Sequence, residues 1–96
     1  MKAKLIFKDR TIINDSEFTE IIIWEVPRQI PPSKHNLKYR LAYVTNGVCQ
    51  IRFDNEQGKG DHFHICESEV TYEFQSIEKL FADFYEQIRI FKNEHS

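Results

Sequence analysis

The chain has 96 residues, 41% of them hydrophobic and 14% aromatic, which allows one globular domain with a modest core and excludes a disordered chain. Its net charge of −2 does not by itself favour nucleic acid, no run is long enough to span a membrane, and the opening Met1 to Lys8 lacks the apolar stretch of a signal peptide. Two cysteines, Cys49 and Cys66, make no disulfide framework, so a reducing cytoplasm is expected.

Residues 3–13 predict a hairpin, with Leu5-Ile6-Phe7 and Thr11-Ile12-Ile13 as its strands and Asp9-Arg10 as the break. Asn14-Asp15-Ser16 is a second turn signal. Phe18 to Val26 is the strongest strand pattern. Phe18, Ile22, Trp24 and Val26 share one face, with Glu20 as the exception, and Ile21 and Ile23 share the other. Apolar residues on both faces predict a central strand or one covered by a partner, a second copy included.

Pro27 ends that strand. The segment from Arg28 to Asn36 reads as a loop that Pro31-Pro32 keep extended. Arg28, Lys34, Lys38, Arg40 and His35 face no acid here, so the segment is either a solvated connection or a mobile loop that meets phosphate. Tyr39–Thr45 and Val48–Asp54 flank Asn46-Gly47, the preferred pair for a two-residue hairpin turn. The expected register pairs Thr45 with Val48, Tyr43 with Gln50, Leu41 with Arg52 and Tyr39 with Asp54. Ala42, Val44, Cys49, Ile51 and Phe53 then form a core face, and Tyr39, Tyr43, Gln50, Arg52 and Asp54 a polar one with Leu41.

Glu67 to Phe74 predicts a turn and a short strand over Val70–Phe74. Ser76 is a good helix N-cap, and Ile77, Leu80, Phe81, Phe84, Ile88 and Phe91 form one helical stripe for packing on a sheet. Past Phe91 the polar tail is expected to fray. The fold class is therefore α+β: a curved antiparallel sheet of about five or six strands with the C-terminal helix on one face, in a single domain over 1–96.

Charge is unevenly spread. Residues 1–26 hold four bases and five acids, residues 27–66 six bases and three acids, and residues 67–96 three bases and seven acids. The basic middle third contains the stretch that a core would not require, Asp54-Asn-Glu-Gln-Gly-Lys-Gly-Asp-His-Phe-His64. Gly58 and Gly60 around Lys59 predict a tight turn with outward N–H groups. The next segment reads as a strand with Phe63 and Ile65 on one face and His62, His64 and Cys66 on the other, Asp61 facing away from the histidines.

Imidazoles exchange protons at neutral pH. Cleavage of RNA by its own 2′-hydroxyl needs a base, an acid and positive charge on the phosphate. His62 and His64 can supply the first two, and Lys59, Arg40 or Arg52 the third. Tyr39 and Tyr43 can stack bases or donate to phosphate. This chemistry needs no metal or other cofactor. A metal reading would join the histidines to Asp54, Glu56 or Asp61. Exposed structural histidines are the third possibility. Gly-Lys-Gly lacks the spacing of a nucleotide-binding P-loop, and His35 and His95 carry no expected role.

The run Asp54-Asn55-x-x-Gly58-Lys59-Gly60-Asp61-His62-x-His64 resembles the signature of the TumE family, toxins of small bacterial toxin–antitoxin pairs. Met1-Lys-Ala-Lys-Leu5, Trp24-Glu-Val-Pro27, Lys38-Tyr-Arg-Leu-Ala-Tyr43 and Phe74-x-Ser76-x-Glu78-x-Leu80-x-x-Asp83-Phe84 extend the likeness over nearly the whole chain. Two departures are Arg52-Phe53, where the family commonly has a tyrosine beside Asp-Asn, and Phe63, where a base is common between the histidines. The resemblance implies a growth-inhibiting protein neutralised by a helix-turn-helix antitoxin. With the residue chemistry, it leads to the expectation of a cytoplasmic, metal-independent endoribonuclease. Its catalytic residues would be His62, His64, Lys59, Asp61 and Asp54, and its RNA would be held by Tyr39, Arg40, Tyr43 and Arg52. A non-catalytic binding module and a metal-dependent nuclease are the rival readings.

Overall fold

The computed structural model describes residues 2–95, so Met1 of the opening motif lies outside them. Six strands, β1 (Lys4–Asn14), β2 (Glu17–Glu25), β3 (Leu37–Thr45), β4 (Val48–Glu56), β5 (Gly60–Ile65) and β6 (Ser68–Thr71), precede one helix, α1 (Ile77–Glu94). The strands follow one another in order in a single antiparallel sheet, β1 to β6, which leaves β1 and β6 as edges. Short turns suffice for such a meander, and the one long connection is the proline segment between β2 and β3.

The predicted hairpin at residues 3–13 is one continuous strand instead. Asp9 and Arg10 sit inside β1, opposite Ile21 and Glu20. Arg10 pairs with Glu20 at 3.6 Å and lies 4.3 Å above the Phe18 ring. All eleven residues of β1 are exposed, so polar side chains cost little there and do not break the strand. The real turn is at Asp15-Ser16, where the Ser16 N–H donates to Asn14 Oδ1 at 2.9 Å. In β2 the two faces are as expected: Ile21 and Ile23 are buried, and Phe18, Ile22 and Trp24 lie half-buried on the other side. Its neighbours β1 and β3 make it an interior strand.

The Asn46-Gly47 turn has φ values of 51° and 77°, as a two-residue hairpin requires. Thr45 pairs with Val48 as predicted, but a bulge at Gln50 then slips the register by one residue. Tyr43 meets Ile51, Leu41 meets Phe53 and Arg40 meets Asp54. This corrects the expected faces. Tyr39, Leu41 and Tyr43 join Ile51 and Phe53 beneath the helix, while Arg40, Arg52 and Asp54 share the opposite, open face. A regular ladder would expose one of these two apolar sets; the bulge lets both be buried. Cys49 pairs with Val44 outside that core and is only half-buried, which corrects its expected core position.

Ser76 caps α1, its hydroxyl accepting from the Lys79 N–H at 3.0 Å. Leu80, Phe84 and Ile88 are buried against Ile21, Ile23, Tyr39, Leu41, Tyr43, Ile51 and Phe53, with Ile77, Phe81 and Phe91 at the margins. The helix does not fray at Phe91. It runs to Glu94, and His95 donates its N–H to the Phe91 carbonyl at 3.0 Å while its ring stacks on Phe91 at 4.0 Å. The last strand is Ser68–Thr71, earlier than the predicted Val70–Phe74. Phe74 leaves the ladder to pack on His35 and Tyr39, at 4.1 Å and 5.8 Å between ring centroids. Among the described residues no helix is long and apolar enough to cross a membrane.

Candidate functional site on the open sheet face

Antiparallel pairing assembles the site. Asp54 on β4 stands opposite His62 on β5, Arg52 stands opposite His64, and Arg40 on β3 completes a row with Asp54. Residues directly opposite on one face approach closely, so the ladder itself brings these groups together. Phe63 points the other way and stacks on Phe53 at 4.7 Å, seating β5 on the core. The basic residue common at that family position is thus replaced by a core contact.

His62 is 3% exposed. Its Nδ1 is 2.9 Å from the Gly60 carbonyl, which makes Nδ1 the protonated donor and leaves Nε2 facing the site. Nε2 is 2.7 Å from Asp54 Oδ1, and Asp54 Oδ2 is 3.0 Å from Arg52 Nε. These separations are those of ion pairs, yet the groups are not aligned as hydrogen bonds. Among the described residues, Arg52 Nε, Asp54 Oδ1, His62 Nε2 and His64 Nε2 are buried atoms without a hydrogen-bond partner. The His62 and His64 rings meet edge to face with centroids 5.0 Å apart. Ligand atoms of Asp54, His62 and His64 all lie within 4.8 Å of one another.

Two further carboxylates reach the rim. Glu56 Oε1 and Glu69 Oε1 are 4.0 Å and 3.8 Å from His62 Nε2. Lys59, in the glycine turn, is 3.7 Å from Glu69 Oε1, which places it at the same rim. Glu69 has no signal in the sequence; only the β5–β6 register, which pairs it with His64, brings it here. A small cleft of about 190 Å³ beside Asp54 is lined by Ile22, Trp24, Lys38, Tyr39 and Arg40. Trp24, read from sequence as part of a strand face and of the family likeness, thus lines the same cleft as two cations next to the site.

The glycine turn forms, with Gly58 and Gly60 at φ 86° and 77°, but its amides do not point outward. The Gly58 N–H donates to the Pro31 carbonyl at 2.8 Å and the Lys59 N–H to Glu56 at 3.1 Å. Although most of its residues stay exposed, as those of a solvated connection would, the proline segment is therefore tied to the glycine turn. Asp61 explains how. It lies across the sheet from the histidines, where Ser33 Oγ, His35 Nε2 and Tyr39 Oη converge on its carboxylate, the last two at 2.7 Å each. His35, to which no role was assigned, is half of that lock. Asn55, fully buried, adds to it by accepting the Tyr39 N–H at 3.0 Å and donating to the Leu37 carbonyl at 2.7 Å.

Of the nine expected site residues, Asp54, His62, His64, Arg40, Arg52 and Lys59 lie on or at the rim of the open face, while Asp61, Tyr39 and Tyr43 do not. Both tyrosines are buried, their hydroxyls bound to Asp61 and Glu17. Burial and the Asp61 carboxylate push the Tyr39 phenol far above its ordinary value, and burial with Glu17 does the same to Tyr43. Neither ring is free to stack on a base. At the open face, burial raises the Cys49 thiol against the opposing pull of Arg40 and Arg52.

A family model described as Toxin TumE matches residues 2–91. No match was found among curated proteins or solved structures. The match spans the sheet, the proline lock, the histidine strand and most of the helix, and the chain belongs to the TumE family, toxins of type II toxin–antitoxin systems.

Proposed function

We propose that this toxin is an endoribonuclease that cleaves RNA on the open face of its sheet. The observation that carries the reading is the cluster Asp54–His62–His64, whose buried site-facing atoms lack an aligned hydrogen-bond partner. Folding leaves such atoms unsatisfied at a cost, and they concentrate where a ligand or reacting group completes them. Arg40 and Arg52 beside the cluster supply fixed positive charge for a phosphate. Trp24, which lines that cleft with Lys38 and Arg40, offers one ring for a base next to cations for the backbone.

The expected division of labour, one histidine as base and the other as acid, does not suit rings 5.0 Å apart edge to face. Both imidazoles face the substrate from the same side. His64 is only half-buried, whereas His62 is buried. His64, backed by His62 and Asp54, takes the proton of the attacking 2′-hydroxyl. As that oxygen bonds to phosphorus the bond to the 5′-oxygen breaks, water protonates the departing oxygen, and the guanidinium groups meet the charge that builds on the phosphate. Lys59 orders the rim through Glu69. The whole chain acts in the cytoplasm as one toxin domain, countered by a helix-turn-helix antitoxin.

The test compares wild type, His64→Ala and Arg52→Ala on total RNA and in growing cells, with circular dichroism as the check on folding. Both variants are expected to stay folded and to lose cleavage by about 100-fold or more, together with toxicity. Toxicity retained by folded His64→Ala would overturn the assignment in favour of a binding module.

A further inference from the structure

We infer that Asp54, His62 and His64 form a binding site for one divalent transition ion of the zinc or cobalt class. The inference rests on the proposed site and replaces its metal-free form: with the ion in place the imidazoles serve as ligands, not as acid and base.

Four observations converge. First, the facing atoms Asp54 Oδ1, His62 Nε2 and His64 Nε2 lack hydrogen-bond partners although buried, and His62 is 3% exposed. Second, His62 is oriented as metal-bound histidines usually are. Its Nδ1 is engaged by the Gly60 carbonyl at 2.9 Å, which turns Nε2 toward Asp54 and His64. Third, that Nε2 lies 2.7 Å from a carboxylate oxygen. The approach is misaligned for a hydrogen bond, so a cation that both atoms can ligate suits it better than a shared proton. Fourth, the three ligand atoms lie within 4.8 Å of one another. A tetrahedral ion with ligands at about 2.0–2.1 Å needs them about 3.3 Å apart, which small side-chain rotations provide.

The ligand set defines the ion. Two imidazoles and one carboxylate suit zinc, cobalt or iron, whereas magnesium and calcium prefer oxygen. Three protein ligands leave a position open, as in catalytic rather than structural zinc sites. Arg40 and Arg52 flank these ligands on the same face of the sheet. Glu56 and Glu69, within 4.0 Å of His62 Nε2, add negative charge that favours a dication and balances the nearby guanidinium groups.

The test is made on the full-length toxin, stripped by dialysis against chelator and titrated with Co²⁺ or Zn²⁺. One equivalent is expected to bind. Co²⁺ should show the visible absorption of a low-coordinate nitrogen–oxygen site, and Zn²⁺ at about a hundredfold over Kd should raise Tm by on the order of 10 °C. His64→Gln, half-exposed and therefore safe for the fold, should lose both signals, as should Asp54→Asn. A Cys49→Ser/Cys66→Ser double variant should keep them, which excludes thiol binding. Absence of a stoichiometric ion, or equal binding by His64→Gln, would overturn the inference. RNA cleavage is read separately. Cleavage that persists in chelator with no bound ion would sink the metal site and leave the ribonuclease reading intact. A bound ion without any RNA cleavage would do the reverse.

Discussion

Asp61 stands one residue from the histidines in the family signature, yet its side chain is on the other side of the sheet, and replacing it separates architecture from chemistry. In Asp61→Ala the hydroxyls of Tyr39 and Ser33 and the Nε2–H of His35 lose their common acceptor. The His35 tautomer is set by the Leu37 N–H, which donates to Nδ1 at 3.2 Å, so Nε2 cannot turn acceptor. Each buried donor left without a partner costs about 1–3 kcal/mol. Some rehydration of the proline segment reduces the sum, and we expect a loss of about 3–5 kcal/mol, comparable to breaking a buried ion pair. At about 4–8 °C per kcal/mol for a domain of this size, Tm falls by at least about 12 °C. Asp61→Asn keeps one acceptor oxygen and should fall between wild type and alanine. The assay is urea unfolding followed by circular dichroism and Trp24 fluorescence, beside RNA cleavage per folded molecule at a temperature where the variant is native. Cleavage is expected within about twofold of wild type. A midpoint within about 1 kcal/mol of wild type, or lost cleavage in a stable folded Asp61→Ala, would refute the reasoning.

The same packing yields further expectations. Phe84, fully buried and edge-on to Phe53, should cost about 3–5 kcal/mol when replaced by alanine, read by urea denaturation. Gly60→Ala should destabilise more than Gly58→Ala: both have positive φ, but a Cβ at Gly60 would come within 2.9 Å of Pro32 Cγ, whereas the space at Gly58 is open. Deleting Gln50 removes the extra residue of the bulge yet leaves Tyr43 opposite Ile51 and Arg40 opposite Asp54, so Arg52 and Asp54 should keep to the open face and unfolding should stay cooperative, as measured by calorimetry. Acid stability depends in part on Asp83. Its partial burial raises the carboxyl, but hydrogen bonds from Lys79 and Tyr72 outweigh this and hold it below its ordinary 3.8. A depressed carboxyl stabilises the fold above its unfolded pKa and loses that contribution as pH falls through the folded value. Tyr72→Phe should therefore narrow the stability difference between pH 6 and roughly pH 3, as followed by Tm against pH.

Local pattern was enough for the hairpin turn at Asn46-Gly47, the helix with its Ser76 cap, and the separation of Phe63 from His62 and His64, because each depends on neighbours within a few residues. The errors arose where long-range pairing decides. Asp9-Arg10 looked like a break because its cross-strand partner Glu20 was not visible locally. The bulge at Gln50 has no composition signal, and missing it placed Tyr39 and Tyr43 with the histidines instead of under the helix. A regular strand did place Asp61 opposite the histidines. What held Asp61 there, His35 and Ser33 some 26 and 28 residues earlier, followed from no spacing rule. Asn55 belonged to the signature, but only the closed proline segment shows that its amide completes the backbone of β3.

The first strand contributes in a different currency from the rest. None of its eleven residues is buried, and its outer side has no neighbour, so it is held by the ladder to β2, the Arg10–Glu20 pair and the lean of Phe7 on Phe81 at 5.6 Å. Such a strand opens at a free energy well below that of the whole domain. Its amides should exchange with solvent soonest, and its peeling would uncover β2 without disturbing Asp54, three strands away, or His62 and His64, four strands away. The molecule thus has a releasable hem on one border and a rigid workplace near the other, and events at the hem need not be felt at the workplace.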